Sequence, residues 1–124
     1  GKNIAVWGLS FKPDTDDIRE APALYIINSL IKKGFTIKAY DPVAMENVKK
    51  SFSEKITFVN DQYEAVKDSD ALFIATEWNE FKQIDLNQVK LLLKSPVIFD
   101  GRNIYDPVSM KKLGFKYYSV GRPQ

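Results

Sequence analysis

The stretch between Trp7 and Pro22 constrains this chain more than any other. It follows the apolar run Ile4-Ala5-Val6-Trp7 and precedes a helical pattern that starts at Pro22, so it occupies the first strand-to-helix crossing of an α/β unit. In open parallel sheets such crossings gather at the carboxyl edge, where ligands bind and where the next helix directs its backbone N–H groups. A crossing that only connects needs roughly 2 to 6 residues. This one runs from Gly8 to Glu20 and carries Lys12, Asp14, Asp16, Asp17, Arg19 and Glu20. Its length and its charge both point to a site.

The rest of the chain keeps the same alternation. Pro22 suits a first helical turn, Leu24, Ile27 and Ile31 recur at helical spacing, Lys32 and Lys33 oppose the dipole at the far end, and Gly34 stops the helix. Phe35 to Tyr40 alternates as a strand, and Met45, Val48 and Phe52 give the next helix its apolar stripe, with Glu46 paired to Lys50. A short strand over Ile56 to Val59 and a short helix over Tyr63 to Lys67 follow. Ala71 to Ala75 and Val97 to Phe99 are continuous apolar runs, as buried parallel strands are. Leu86, Val89 and Leu93 mark a helix between them. A last helix over Val108 to Leu113 and a strand with one wet face over Lys116 to Val120 end the pattern. Six strands joined this way predict a single Rossmann-like domain over residues 1–124, a doubly wound parallel six-stranded sheet with helices on both faces. The order 3-2-1-4-5-6 makes the two most apolar strands, Ile4 to Trp7 and Ala71 to Ala75, neighbours at the switch point.

Composition narrows the chemistry. The chain has no Cys and no His, hence no thiolate nucleophile, no imidazole base and none of the usual soft metal sites; no metal is expected. Net charge is +2, with 18 basic and 16 acidic side chains interspersed, so there is no broad field to draw in nucleic acid and any anion site must be local. No apolar run approaches the roughly 18 residues that span a bilayer, so no membrane contact is expected. The absence of Cys agrees with a reducing cytoplasm, and the opening at Gly1-Lys2 reads as a piece of something longer.

A dinucleotide fingerprint needs a glycine-rich turn leading at once into a helix. Here Gly8 stands alone and the helix is delayed, which argues against a classical NAD site in this loop. The loop offers side chains instead. Lys12 follows the first strand and Arg102 follows Val97 to Phe99, so both project over one edge and could clamp a phosphate or diphosphate, with Phe11 as an apolar wall. The same two cations could equally balance Asp16, Asp17 and Asp100. Arg19 opposes the dipole at the helix entrance, and pairs with Glu20 or Asp16 or serves a ligand. Asp41 stands where many dinucleotide folds place a ribose-binding acid, although Asp before Pro is also an ordinary turn; Glu77 and Trp78 are further candidates for lining the cleft. The acids Asp14, Asp16 and Asp17 raise a second reading, a receiver module of two-component signalling, but they come too late after the strand for that pattern.

The run Gly8-Leu9-Ser10-Phe11-Lys12-Pro13-Asp14-Thr15-Asp16-Asp17-Ile18-Arg19-Glu20-Ala21-Pro22-Ala23 resembles the opening of the C-terminal domain of the UDP-glucose/GDP-mannose dehydrogenase family. Tyr40-Asp41-Pro42, Thr76-Glu77-Trp78 with Phe81, Phe99-Asp100-Gly101-Arg102-Asn103 and Tyr118-Ser119-Val120-Gly121-Arg122 follow in the family's order, so the resemblance covers essentially the whole chain. It implies that Phe11, Lys12 and Arg102 contact a UDP-sugar and that Arg19 touches NAD across a domain cleft, while Asp41 and Trp78 become scaffolding. It also implies a parent with an N-terminal NAD-binding domain, a central dimer-forming region, and a twofold oxidation of the sugar C6 alcohol through a thioester on a Cys that the preceding domains supply. This chain, lacking Cys, is then inactive by itself. The Thr76 and Asp100 motifs are more similar to the branch acting on UDP-glucose than to the GDP-mannose or UDP-N-acetylhexosamine branches, which implies UDP-glucuronate for polysaccharide synthesis.

Overall fold

The structure, a computed structural model, describes residues 2–10, 12–19, 21–52 and 56–120. Phe11, for which a substrate contact is expected, lies outside the described residues. Strands β1 (Asn3–Trp7), β2 (Thr36–Tyr40), β3 (Ile56–Phe58), β4 (Ala71–Ile74), β5 (Val97–Asp100) and β6 (Lys116–Ser119) form one parallel sheet in the order β3-β2-β1-β4-β5-β6. This is the expected doubly wound order. The chain reverses direction across the sheet between β1 and β4, so the loops after these two strands open the crevice.

Side-chain alternation along β1 divides the core. Ala5 and Trp7 pack with Leu72, Ile74, Ile98 and Tyr117 on one face, beneath α3 (Gln62–Val66), α4 (Asn79–Lys82), α5 (Leu86–Leu92) and α6 (Pro107–Lys112), which contribute Val66, Phe81, Val89 and Met110. Val6 joins Ile37 and Ala39 on the other face, covered by Ile27 of α1 (Pro22–Lys32) and Val48 of α2 (Met45–Phe52). Among the described residues, helices thus lie on both faces, four on one and two on the other. Asp61, Asp85 and Asp106 cap α3, α5 and α6 by accepting bonds from Glu64 N, from Asn87 N and Gln88 N, and from Ser109 N.

Three local expectations need correction. Phe99 is not buried. It is 44% exposed and stacks on Tyr118, 45% exposed, because α1 and α2 cover the β1 to β3 half of their face and, among the described residues, nothing comparable covers the β5 and β6 half. The segment before α5 contains a separate helix, α4, whose Phe81 is fully buried against Trp7 with ring centroids 5.1 Å apart. On α2, Glu46 pairs with Lys49, one residue nearer than the expected Lys50.

Candidate functional site

The loop after β1 is fixed at its start by two neighbours. Gly8 adopts φ +94°, and a Cβ there would lie 2.5 Å from the Thr76 side chain, so only glycine lets the chain leave β1 this close to the end of β4. Thr76, fully buried, donates from Oγ1 to Ser10 O at 2.8 Å. From the other side Asp41 accepts from Leu9 N at 2.7 Å through Oδ2, and from Val43 N and Ala44 N at 2.9 and 2.8 Å through Oδ1. Asp41 is therefore no cleft acid. Its carboxylate is 0% exposed and saturated by backbone donors, which corrects the ribose-binding expectation and agrees with a scaffolding role.

Beyond these anchors the loop turns outward. Ser10 Oγ donates to Lys12 O at 2.8 Å, and Lys12 itself is exposed. Asp14 takes a left-handed backbone (φ 64°), Asp17 N donates to Thr15 Oγ1, and Asn47 of α2 donates to Asp16 O at 2.8 Å. Arg19 pairs with Asp17 rather than the expected Asp16, while Glu20, the other expected partner, lies outside the described residues. It donates from Nε and Nη2 to the two oxygens of Asp17 at 3.0 and 2.9 Å, in a pair whose Arg19 side chain is 88% exposed. The Arg19 side-chain hydrogen bonds, then its backbone N–H, hold the Asp17 carboxyl down at about 2, with Lys12 adding a smaller attraction; Arg19 is raised in turn by Asp17. The acids do not converge: among the described residues no group of three is arranged to hold a metal ion, and the receiver reading gains nothing from them.

Arg102 stands on a second anchored loop. Asp100, 1% exposed, accepts from Arg102 N at 2.9 Å through Oδ1, and through Oδ2 from Ile104 N at 2.8 Å, Tyr105 N at 3.3 Å and Tyr117 Oη at 2.5 Å. Burial and the neighbouring Asp100 charge push the Tyr105 phenol up, out of the physiological range. Gly101 N donates to Ile74 O at 2.9 Å, tying the loop to β4, and a Cβ on Gly101 would press on that oxygen at 3.1 Å. The Arg102 side chain then reaches across to the β4 loop, where Nε and Nη2 donate to Glu77 Oε2 and Oε1 at 2.8 and 3.0 Å. Glu77, 25 residues away, is thus a carboxylate partner of this side chain. In the sequence Thr76 stood out only as a motif member and Asp100 only as a motif member and a charge near Arg102; their anchoring roles were not legible.

On the β2 side of the β4 loop, Asp14, Thr15, Asp16, Val43 and Trp78 line an open cleft of about 510 Å³. Trp78 lines this cleft and also packs on the core. Two carboxylates suit hydroxyl or amide donors and repel a diphosphate, whereas Lys12 and Arg102, on the loops after β1 and β5, supply cationic donors on the same edge. The β1 crossing differs from a dinucleotide cradle in two respects: Gly8 packs against the Thr76 side chain, and α1 starts only at Pro22.

Residues 5–107 match the model of the UDP-glucose/GDP-mannose dehydrogenase family, UDP binding domain. The chain is 46% identical over 122 residues to the UDP-glucose 6-dehydrogenase of Rickettsia conorii, covering 98% of this chain and 28% of the relative. It is also 46% identical over 123 residues to a UDP-glucose 6-dehydrogenase of Bacillus subtilis, covering 99% of this chain and 27% of the relative. Among solved structures it is similar to a UDP-glucose dehydrogenase from Pyrobaculum islandicum, with TM-score 0.79 and 28% identity over 96% of this chain and 25% of that one. The chain therefore spans little more than a quarter of the length of these relatives.

Proposed function

Because this chain belongs to the UDP-glucose/GDP-mannose dehydrogenase family and matches its UDP binding domain, we propose that it is the part of a longer UDP-glucose 6-dehydrogenase that recognises the nucleotide of the sugar substrate. The observation that carries the reading is the pair of anchored loops after β1 and β5, which present Lys12 and Arg102 over one edge of the sheet. Each would give a diphosphate a charge-assisted hydrogen bond, which is stronger than a neutral one and selects the charged part of the ligand. Phe11 is the proposed apolar contact beside them. Trp78 and the acid-lined cleft are available to the uncharged part of the nucleotide sugar.

The parent would oxidise UDP-glucose to UDP-glucuronate in two steps with NAD. When bound, NAD accepts the hydride. Its cradle belongs to the rest of the parent, since Gly8 stands alone against Thr76 and α1 starts only at Pro22, and Arg19, exposed on the outer part of the loop, offers a single contact across the cleft. The thiol for the family's covalent step also lies outside this chain, which has no Cys. What these residues do is bind and orient the substrate. The parent is further proposed to be a dimer or larger and to act in the cytoplasm.

Steady-state kinetics of the full-length protein test the reading. UDP-glucose should support NAD reduction in preference to GDP-mannose and UDP-N-acetylhexosamines, and Lys12→Ala should raise KM for UDP-glucose roughly 10- to 100-fold, the loss of one charged hydrogen bond. An unchanged KM in that variant would remove Lys12 from the substrate site.

A further inference from the structure

We propose that Glu77 is the positioning residue for Arg102, holding its guanidinium where it meets a phosphate of the bound nucleotide. The inference rests on the reading of Arg102 as a substrate contact and adds a role for an acid that would otherwise oppose it. A carboxylate beside an anion-binding arginine has two possible effects of opposite sign. As a competitor it occupies the guanidinium and weakens binding; as a positioner it fixes the guanidinium before the ligand arrives and strengthens binding. The geometry points to the second.

Both partners rise from the fixed end of the sheet. Ile74 of β4 is in register with Asp100 of β5, and Gly101 N bonds to Ile74 O, so the backbones that carry Glu77 and Arg102 are hydrogen-bonded neighbours. Thr76, next to Glu77, is buried and bonded to Ser10 O, while Arg102 N is held by the buried Asp100 carboxylate. The contact itself is two-pronged, and the side chains are only 26% and 33% exposed. A parallel fork of this kind sets the plane of the guanidinium as well as its position, which a single hydrogen bond does not do. A free arginine side chain has large rotamer freedom to lose on binding a phosphate, and a partner that removes it beforehand lowers the cost of association. Because the Lys12 loop is anchored through the same Thr76, Glu77 also ties the arginine of one loop to the strand end that places the lysine of the other.

A double-mutant cycle on the full-length protein tests this, with affinities for UDP and for uridine as the probes. Arg102→Ala should weaken UDP binding roughly 10- to 100-fold. Glu77→Gln, which keeps the shape and removes the charge, should weaken UDP binding about 3- to 10-fold, leave uridine within about 2-fold, and have almost no further effect in the Arg102→Ala background. A merely structural role would lower both affinities and persist without Arg102. Arg102→Lys, which keeps the charge but has no fork, should also lose UDP affinity; it serves if Glu77→Gln does not fold. Unchanged or tighter UDP binding by Glu77→Gln, an equal effect in the Arg102→Ala background, or wild-type affinity in Arg102→Lys would overturn the proposal while leaving Arg102 as a substrate contact. Failure of Arg102→Ala to weaken UDP would instead remove the reading on which it rests.

Discussion

Gly8 ties the identity of one residue to the placement of a whole loop. Its φ of +94° alone would strain any side chain, and the 2.5 Å approach of Thr76 leaves no room for one, so Gly8→Ala must move β1 away from β4 or distort the loop. We expect a loss of about 2 to 4 kcal/mol in urea unfolding, together with weaker nucleotide binding, because Ser10 and Lys12 follow directly. At the other end of the loop the Asp17–Arg19 pair should be visible as a titration. The Asp17 carboxyl is held down from an ordinary 3.8 to about 2, chiefly by the Arg19 side chain. A depressed carboxylate keeps its pair above the ordinary value and loses it as pH falls through the folded one, so the pair should break between about pH 4 and pH 2. Carboxyl carbon shifts should place the Asp17 midpoint near 2, and Arg19→Ala should move it back towards 3.8; a midpoint near 3.8 in the unaltered protein would contradict the geometry. With the Arg19 side chain 88% exposed, this pair shapes the loop rather than stabilising the fold.

At the scale of elements, legibility followed how local the signal was. The runs Ile4 to Trp7 and Ala71 to Ala75 are apolar on both faces and proved to be the adjacent central strands, and α1 announced itself through Pro22, its stripe and Gly34. Helix α4 gave no periodicity because four residues make one turn, with no repeat to detect. Phe99 was misread for another reason: an unbroken apolar run does not say how far the helices extend over each face. Glu77 and Arg102 lie 25 residues apart, and nothing in their local sequence joins them. The two phenylalanines offer a direct comparison. Phe81→Ala, emptying a fully buried site between Trp7 and Tyr40, should cost about 3 to 5 kcal/mol. Phe99→Ala, at a half-exposed position, should cost less than about 2 kcal/mol. Urea unfolding of the two variants checks both values, and equal losses would mean that the β5 face is covered after all.

For the molecule as a whole, the account divides labour between a rigid sheet and the edge that it carries. Buried polar groups, Asp41, Thr76 and Asp100, hold backbone, and the cations Lys12, Arg19 and Arg102 are set on the loops that those groups anchor. The motifs were legible as sequence, and the resemblance already set Asp41 among the scaffolding; that Asp100 is buried as well was not, since burial depends on how the strand ends meet. The chain is proposed to bind the nucleotide and has no Cys, so its own recognition of the nucleotide is the central claim. The most direct test is an NMR titration of this chain with UDP, beside NAD. The account predicts shifts centred on the loops of Lys12 and Arg102 with UDP that are lost in Lys12→Ala, and a weaker response to NAD confined to the surroundings of Arg19. UDP at saturating concentration that leaves both loops unmoved, or that moves them equally in Lys12→Ala, would contradict it.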